Sequence, residues 1–339
     1  PARGAARSRR SEASTTGADT RAAHGELSPV DGGARPGPRF ACETQSTFEQ
    51  LELFLADISD APLKGDRATL EFPFFSLSKR PGSYVRCYEF AGVRIEIIPS
   101  ARGAPTIYDA DVLYYCSGQL TEAANRGRAL GRTLHVRTYD LLKSTQRGLG
   151  GGPMRRLIQA LDRLTGARIK TNICTDGLQA VESFGLVDGY RLLDRTSVHD
   201  PRLSITLSDW LFRAVQAREV LTLDPAYFGL TSGLERRLYL ILRKHLGNQP
   251  AWSIRLENLH RKSGSESSLR RFRFEIHHLV ARSLAPPLDR FILQVQDDYF
   301  RAYSRDSRGT SALLTDIQRS RRATTSGDSG MARRYGDIL

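Results

Sequence analysis

Residues Ser267–Ala281 read SSLRRFRFEIHHLVA, and their spacing decides the fold. Leu269, Phe272, Ile276 and Leu279 recur at steps of three, four and three. At about 100° per residue they form one apolar stripe that must face a core. The opposite arc holds Ser267, Arg270, Arg271, Phe274, His277 and His278, with Arg273 at its edge. Ser267 or Ser268 supplies the N-cap of a helix running to about Ser283. Arginines on such an arc donate in forked pairs to guanine O6/N7 or to phosphate. Phe274 admits two readings: contact with a thymine methyl, or a stripe wider than the four apolar positions. The same run also reads as a basic solvent-facing helix with an Arg271–Glu275 pair four residues apart.

The neighbouring segments favour a helix that enters a groove. Leu234–Leu246 is a helix with Leu234, Leu238, Ile241 and Leu242 inward and Gly247 as its stop. Trp252–Arg255 reads as a short strand, Leu256–Lys262 as a short helix and Ser263-Gly264-Ser265 as a tight turn. Pro286-Pro287 ends the Ser267 helix, and Arg290–Val295 with Tyr299–Tyr303 forms a two-stranded wing. Helix, strand, helix, turn, helix and hairpin is the order of a winged helix, whose second helix of the turn unit lies in the major groove.

The order occurs earlier too. Thr47–Asp57 reads as a short amphipathic helix, and Tyr84–Phe90 with Val93–Ile98 as a hairpin about Ala91-Gly92. Ile107–Asn125 is a helix with Asp109 and Asp111 in its first turn. Thr133–Val136 is a strand and Tyr139–Thr145 a helix. Gly148, Gly150, Gly151 and Gly152 lead to Pro153 and a helix over Met154–Leu164. Arg155, Arg156, Gln159 and Arg163 lie on its outer side, suited equally to phosphate contact or to dimer contact. Ala167–Ile173 alternates, placing Arg168 and Lys170 outward among the candidate contacts, and Ser183–Leu193 is its expected return strand. Leu207–Val220 connects the two copies.

The chain has 339 residues and a formal net charge of +13. Residues 231–284 carry eleven Lys+Arg against four Glu, a concentration that favours a polyanion over mere solubility. Residues 1–46 and 304–339 are rich in small and polar residues without apolar periodicity, and read as disordered tails. Four cysteines without a C-x-x-C exclude a zinc ribbon and a disulfide scaffold. The glycine cluster lacks a following Gly-Lys-Ser/Thr and is no P-loop. His277 and His278 point about 100° apart and cannot jointly chelate a metal as an i,i+4 pair would. No nicking-endonuclease histidine triplet is present, and Asp297-Asp298 reads as a turn. No run approaches a membrane span and no signal-peptide core opens the sequence. These features predict no enzyme, no metal, no cofactor, no membrane and a cytoplasmic setting.

Several motifs resemble the plasmid replication initiator protein A family. The match runs from about Thr47 to Phe300. It is carried by Glu71-Phe72-Pro73-Phe74-Phe75-Ser76-Leu77-Ser78-Lys79, Pro99-Ser100-Ala101-Arg102-Gly103 and Thr106-Ile107-Tyr108-Asp109. It continues through Thr165-Gly166-Ala167-Arg168-Ile169-Lys170-Thr171-Asn172-Ile173 and Leu207-Ser208-Asp209-Trp210-Leu211. Leu234-Glu235-Arg236-Arg237-Leu238-Tyr239, Arg243-Lys244-His245-Leu246-Gly247, Lys262-Ser263-Gly264-Ser265 and Arg271-Phe272-Arg273 complete it. Leu246 and Leu149-Gly150-Gly151 depart from the smaller or more polar residues expected.

The resemblance implies a plasmid replication initiator that binds repeated double-stranded DNA at an origin, promotes its opening and recruits host replication proteins. It implies monomers on origin repeats and dimers that bind the protein's own promoter and repress it. The partners would be the host replication initiator and helicase machinery. By position, Arg270, Arg271 and Arg273 would contact bases and phosphate, and Lys262 and Ser263 would be turn contacts to backbone. Arg236, Arg237, Arg243 and Lys244 would brace the domain or touch phosphate. The expected fold is α+β: a tail over 1–46, a first winged-helix domain with an N-terminal extension over 47–222, a second over 223–303 as principal DNA reader, and a basic tail over 304–339. The alternative is a dimeric winged-helix transcriptional repressor without initiation activity.

Overall fold

The computed structural model describes residues 54–173, 181–192 and 202–325. In chain order the elements begin with β1 (Phe54–Ala56), β2 (Lys64–Asp66), α1 (Arg67–Glu71), β3 (Arg86–Phe90) and β4 (Val93–Ile98). Then come α2 (Ala110–Asn125), β5 (Thr133–Arg137), α3 (Thr138–Ser144), α4 (Gly151–Gly166), β6 (Arg168–Thr171), β7 (Glu182–Phe184), β8 (Val187–Leu192) and β9 (Arg202–Leu207). After α5 (Asp209–Gln216) and β10 (Val220–Thr222) follow α6 (Gly233–His245), β11 (Ala251–Arg255), α7 (Leu256–Ser263) and α8 (Leu269–Val280). β12 (Phe291–Gln296), β13 (Tyr299–Ser304) and α9 (Ser307–Thr325) complete them. The protein is mixed α+β.

One sequence of elements occurs twice. In the second half α6, β11, α7 and α8 precede β12 and β13, and the sheet order is β11-β13-β12. In the first half α2, β5, α3 and α4 precede β8 and β9, and those strands lie in the order β5-β9-β8. Each time the strand after the first helix pairs antiparallel with the last strand. The first half carries an insertion: β6 and β7 leave this sheet and join the β3-β4 hairpin as β3-β4-β6-β7.

Three expectations are corrected. The return strand over Ser183–Leu193 is two strands in two sheets, β7 and β8, broken at Gly185 and Leu186. Leu186 and Val187 are consecutive and both buried, which a single strand with one wet face cannot accommodate. The helix over Thr47–Asp57 is a strand where it is described. Phe54 and Ala56 are buried while Leu55 is half exposed, and β1 pairs in parallel with β5. Residues 47–53, like the expected tail over 1–46, lie outside the described residues. The expected tail from Ser304 begins with the last residue of β13 and the helix α9. Asp306 starts that helix by accepting from the Gly309 amide at 2.8 Å, and Tyr303 donates to Asp316 at 2.9 Å. Residues 326–339 lie outside the described residues.

A single apolar core runs through both halves. Trp210 of α5 stacks on Phe184 at 4.6 Å and meets Phe74 at 5.7 Å. The halves are also tied by buried charge. Arg237, 3% exposed, donates to the carbonyls of Thr69, Leu70 and Glu71 at the end of α1 and to that of Lys262 in α7. Burial pushes its pKa down to about 10, still well above neutral pH. Arg236 grips Asp111 of α2 with bonds of 2.9 and 3.1 Å and lies between the rings of Tyr108 and Tyr227. Burial raises the Asp111 pKa, and the guanidiniums of Arg236 and Arg147 oppose that rise. Of the two expected roles for Arg236 and Arg237, bracing is the one their burial permits.

Candidate nucleic-acid interface

α8 forms where its stripe predicts, with Phe272, Ile276 and Leu279 buried and Leu269 partly so. Ser268 is the cap: its hydroxyl accepts from the Arg271 amide at 3.3 Å. Arg270, Arg271, Phe274, His277 and His278 are exposed, and Ser267 and Ser268 stand at the helix start. Phe274 is 70% exposed, so the apolar stripe does not extend to it. The face opposite the core therefore remains open over the length of the helix.

Two of its arginines are held from the side. Arg271 pairs with Glu275 at 2.8 Å, the i,i+4 contact expected of an ordinary surface helix. Arg273 makes two 2.8 Å bonds to Asp298 in the β12–β13 turn. Those bonds hold the Asp298 carboxyl below the usual carboxylate range. Sequence reasoning missed this role for Asp298, since a separation of twenty-five residues leaves no local signal. Arg270 has no ion-pair partner among the described residues.

The turn before α8 is pinned. Gly264, at φ +67, closes α7 in the left-handed conformation, where an added Cβ would also strike Pro73. His260 meets the Ser267 carbonyl at 2.8 Å and packs on Phe272. From the other half, Arg86 of β3 pairs with Glu266 at 2.9 Å and donates to the Gly264 carbonyl at 3.3 Å. Tyr84 donates to the same Glu266.

Lys262 and Ser263, assigned to this turn as backbone contacts, are corrected. Lys262 is 6% exposed and its ammonium pairs with Glu71. Ser263 is buried, donating to the His260 carbonyl at 2.7 Å and accepting from the Ser265 amide at 3.2 Å. Both brace the α7–α8 turn from within. Lys244 also reaches Glu71, making that carboxylate a junction of α1, α6 and α7.

On α4, Arg155, Arg156 and Gln159 are exposed. Arg163 is corrected: it lies inward and makes 2.8 and 2.7 Å bonds to Asp109 at the start of α2. Arg168 and Lys170 are exposed on β6, away from the repeated sheet because of the insertion. Arg168 also donates to the Ser183 carbonyl at 3.1 Å. Among the described residues no group of three or more His, Cys, Asp or Glu could hold a metal ion. No helix among them is long and apolar enough to cross a membrane.

Residues 64–289 match the family model described as replication initiator protein A. The chain belongs to the replication initiator protein A family. Within that family match lie α8, its pinned turn and the buried Arg236-Arg237 pair. A putative replication protein of Wigglesworthia glossinidia brevipalpis is 32% identical over 240 residues, covering 69% of this chain and 87% of the relative. The crystal structure of selenomethionine derivatives of domains 2 and 3 of RctB aligns at TM-score 0.50 with 12% identity, covering 70% of this initiator and 97% of that chain. A second RctB structure of the same domains aligns at TM-score 0.47 with 14% identity and the same coverage. At 12% identity, the likeness to the first of these is one of fold alone.

Proposed function

We propose that this replication initiator binds repeated double-stranded DNA at a plasmid origin through two winged helices, over 47–222 and 223–303, and opens the duplex without chemistry of its own. The observation that carries this reading is the open arc of α8, with two arginines, an aromatic ring and two histidines outward while its apolar side is buried. A helix presented this way fits the major groove, and a rigid pair of such units can bend DNA and ease melting of nearby A·T-rich steps. Arg155, Arg156, Gln159, Arg168 and Lys170 supply phosphate contacts from the first half. Host initiator and helicase proteins are recruited to the opened origin, and dimers at the protein's own promoter repress it.

The test has two parts. Anisotropy titration on duplexes found by footprinting the DNA that flanks the gene should give a salt slope of about −5 to −7, as six to eight phosphate contacts require. A minimal plasmid carrying only this gene and those repeats should replicate. Specific binding without replication would leave the repressor reading standing instead. Absence of any preferred duplex would end the proposal.

A further inference from the structure

We infer that Phe274 reads the 5-methyl group of a thymine, placed within about two base pairs of a guanine held by Arg270. The inference rests on the DNA reading of α8 and deepens it.

Phe272, Ile276 and Leu279 define the buried side of the helix. At 100° per residue Phe274 falls opposite their centre, with Arg270 and His277 to one side and His278 to the other. Its ring is 70% exposed and is stacked on His278 at 6.2 Å. An aromatic ring at the centre of a basic, solvent-facing arc contributes little to the core beneath it. The flanking arginines are turned aside, Arg271 toward Glu275 and Arg273 toward Asp298. That leaves Arg270 and Phe274 as the central pair, four residues apart on one face.

Four residues of helix rise about 6 Å. Two base-pair steps of about 3.4 Å cover the same length. The two side chains therefore address neighbouring positions. Arg270 matches the paired acceptors of guanine, and the thymine methyl is the hydrocarbon group that the major groove presents to Phe274. The competing occupant is an apolar side chain of a protein partner, since Phe274 also borders a shallow groove whose far wall is Leu234 and Glu235 of α6. Glu235 is paired with Arg282 there, so that wall offers no unpaired charge to attract a partner.

The experiment replaces each thymine of a footprinted repeat, one at a time, by deoxyuridine, which removes the methyl alone. Equilibrium anisotropy then compares the full-length wild type with Phe274→Ala and Phe274→Leu. One thymine, within two base pairs of a guanine whose loss is masked by Arg270→Ala, should cost the wild type about fourfold in affinity, as burial of one methyl requires. That cost should vanish in Phe274→Ala and persist in part in Phe274→Leu, with unfolding midpoints of both variants unchanged. A flat uracil scan overturns the inference, as does a sensitive thymine that stays sensitive in Phe274→Ala. If the scan is flat while Arg270→Ala still weakens specific binding, the DNA reading survives and the methyl reading falls. If the wild type prefers no duplex over random DNA, both fall together.

Discussion

α8 and α4 occupy the same place in two copies of one element order, yet they are held in opposite ways. α8 is fixed at its beginning: Ser268 caps it, and Arg86 and Tyr84 hold the turn before it. α4 starts at Gly150 with no side-chain cap, and a Cβ added at Gly150 or Gly151 would meet nothing within 4 Å. Its far end is the fixed one, through Arg163 to Asp109 and Asp162 to Tyr190. Base edges must be met within fractions of an ångström, whereas phosphates accept a looser approach. On the proposed DNA reading, the contrast suits α8 to sequence and α4 to backbone.

That contrast presumes one folded body, and Arg237 is where it breaks most easily. Arg237→Ala strands four carbonyls and should cost about 3–5 kcal/mol, read by urea unfolding. Loss of less than about 1 kcal/mol would mean that Arg237 adds little to what the apolar core and the other ion pairs already hold together. Next in size, Arg270→Ala should cost about 1–3 kcal/mol on the specific repeat and relax base choice at one position. Arg155→Ala with Arg156→Ala should instead weaken all sequences alike and reduce the salt slope by about 1 per residue. The reverse outcome would exchange the roles of the two helices.

Acid sharpens the comparison at the second half's own seam. His245 stacks on Trp252 at 4.5 Å, and burial, with Lys244 and Arg237 nearby, lowers its pKa to about 3 from 6.5. Glu71, 3.3 Å from the ring, is shared with Lys244 and Lys262. The unfolded chain takes up the proton first, so this contribution is whole above about pH 6.5 and is lost as pH falls toward 3. At pH 5.5 the loss should be about 1.4 kcal/mol. His245→Phe, which keeps the stacking, should flatten that part of the pH–stability curve. Smallest of all, Gly151→Ala in the first turn of α4 should stabilise the helix by less than the ~1 kcal/mol of an interior site, measured as a rise in Tm. If it weakens DNA binding as well, the glycine serves a close approach from outside.

The second half was legible because its signals are local. The α8 stripe, the Ser268 cap and the Gly264 stop each lie within a few residues of what they determine. The misread segments are governed by distant partners. β1 is a strand because β5 lies beside it, and the chain over 182–192 changes sheets because β3-β4 offers β6 and β7 another edge. Lys262 and Arg163 look like surface residues until Glu71 and Asp109 are brought to them, whereas Ser263 turns its hydroxyl back to the His260 carbonyl three residues earlier. Arg237 did leave a trace: Leu234, Arg237 and Ile241 are spaced three and four apart, which places the arginine on the apolar side of α6.

The Arg86–Glu266 and Tyr84–Glu266 contacts make the aim of α8 a property of the whole protein. Chimeras that graft the second half of one initiator onto the first half of another would inherit α8 without the clasp that sets its angle. Exchange of α8 residues alone keeps that clasp, and is the better route to a changed target sequence.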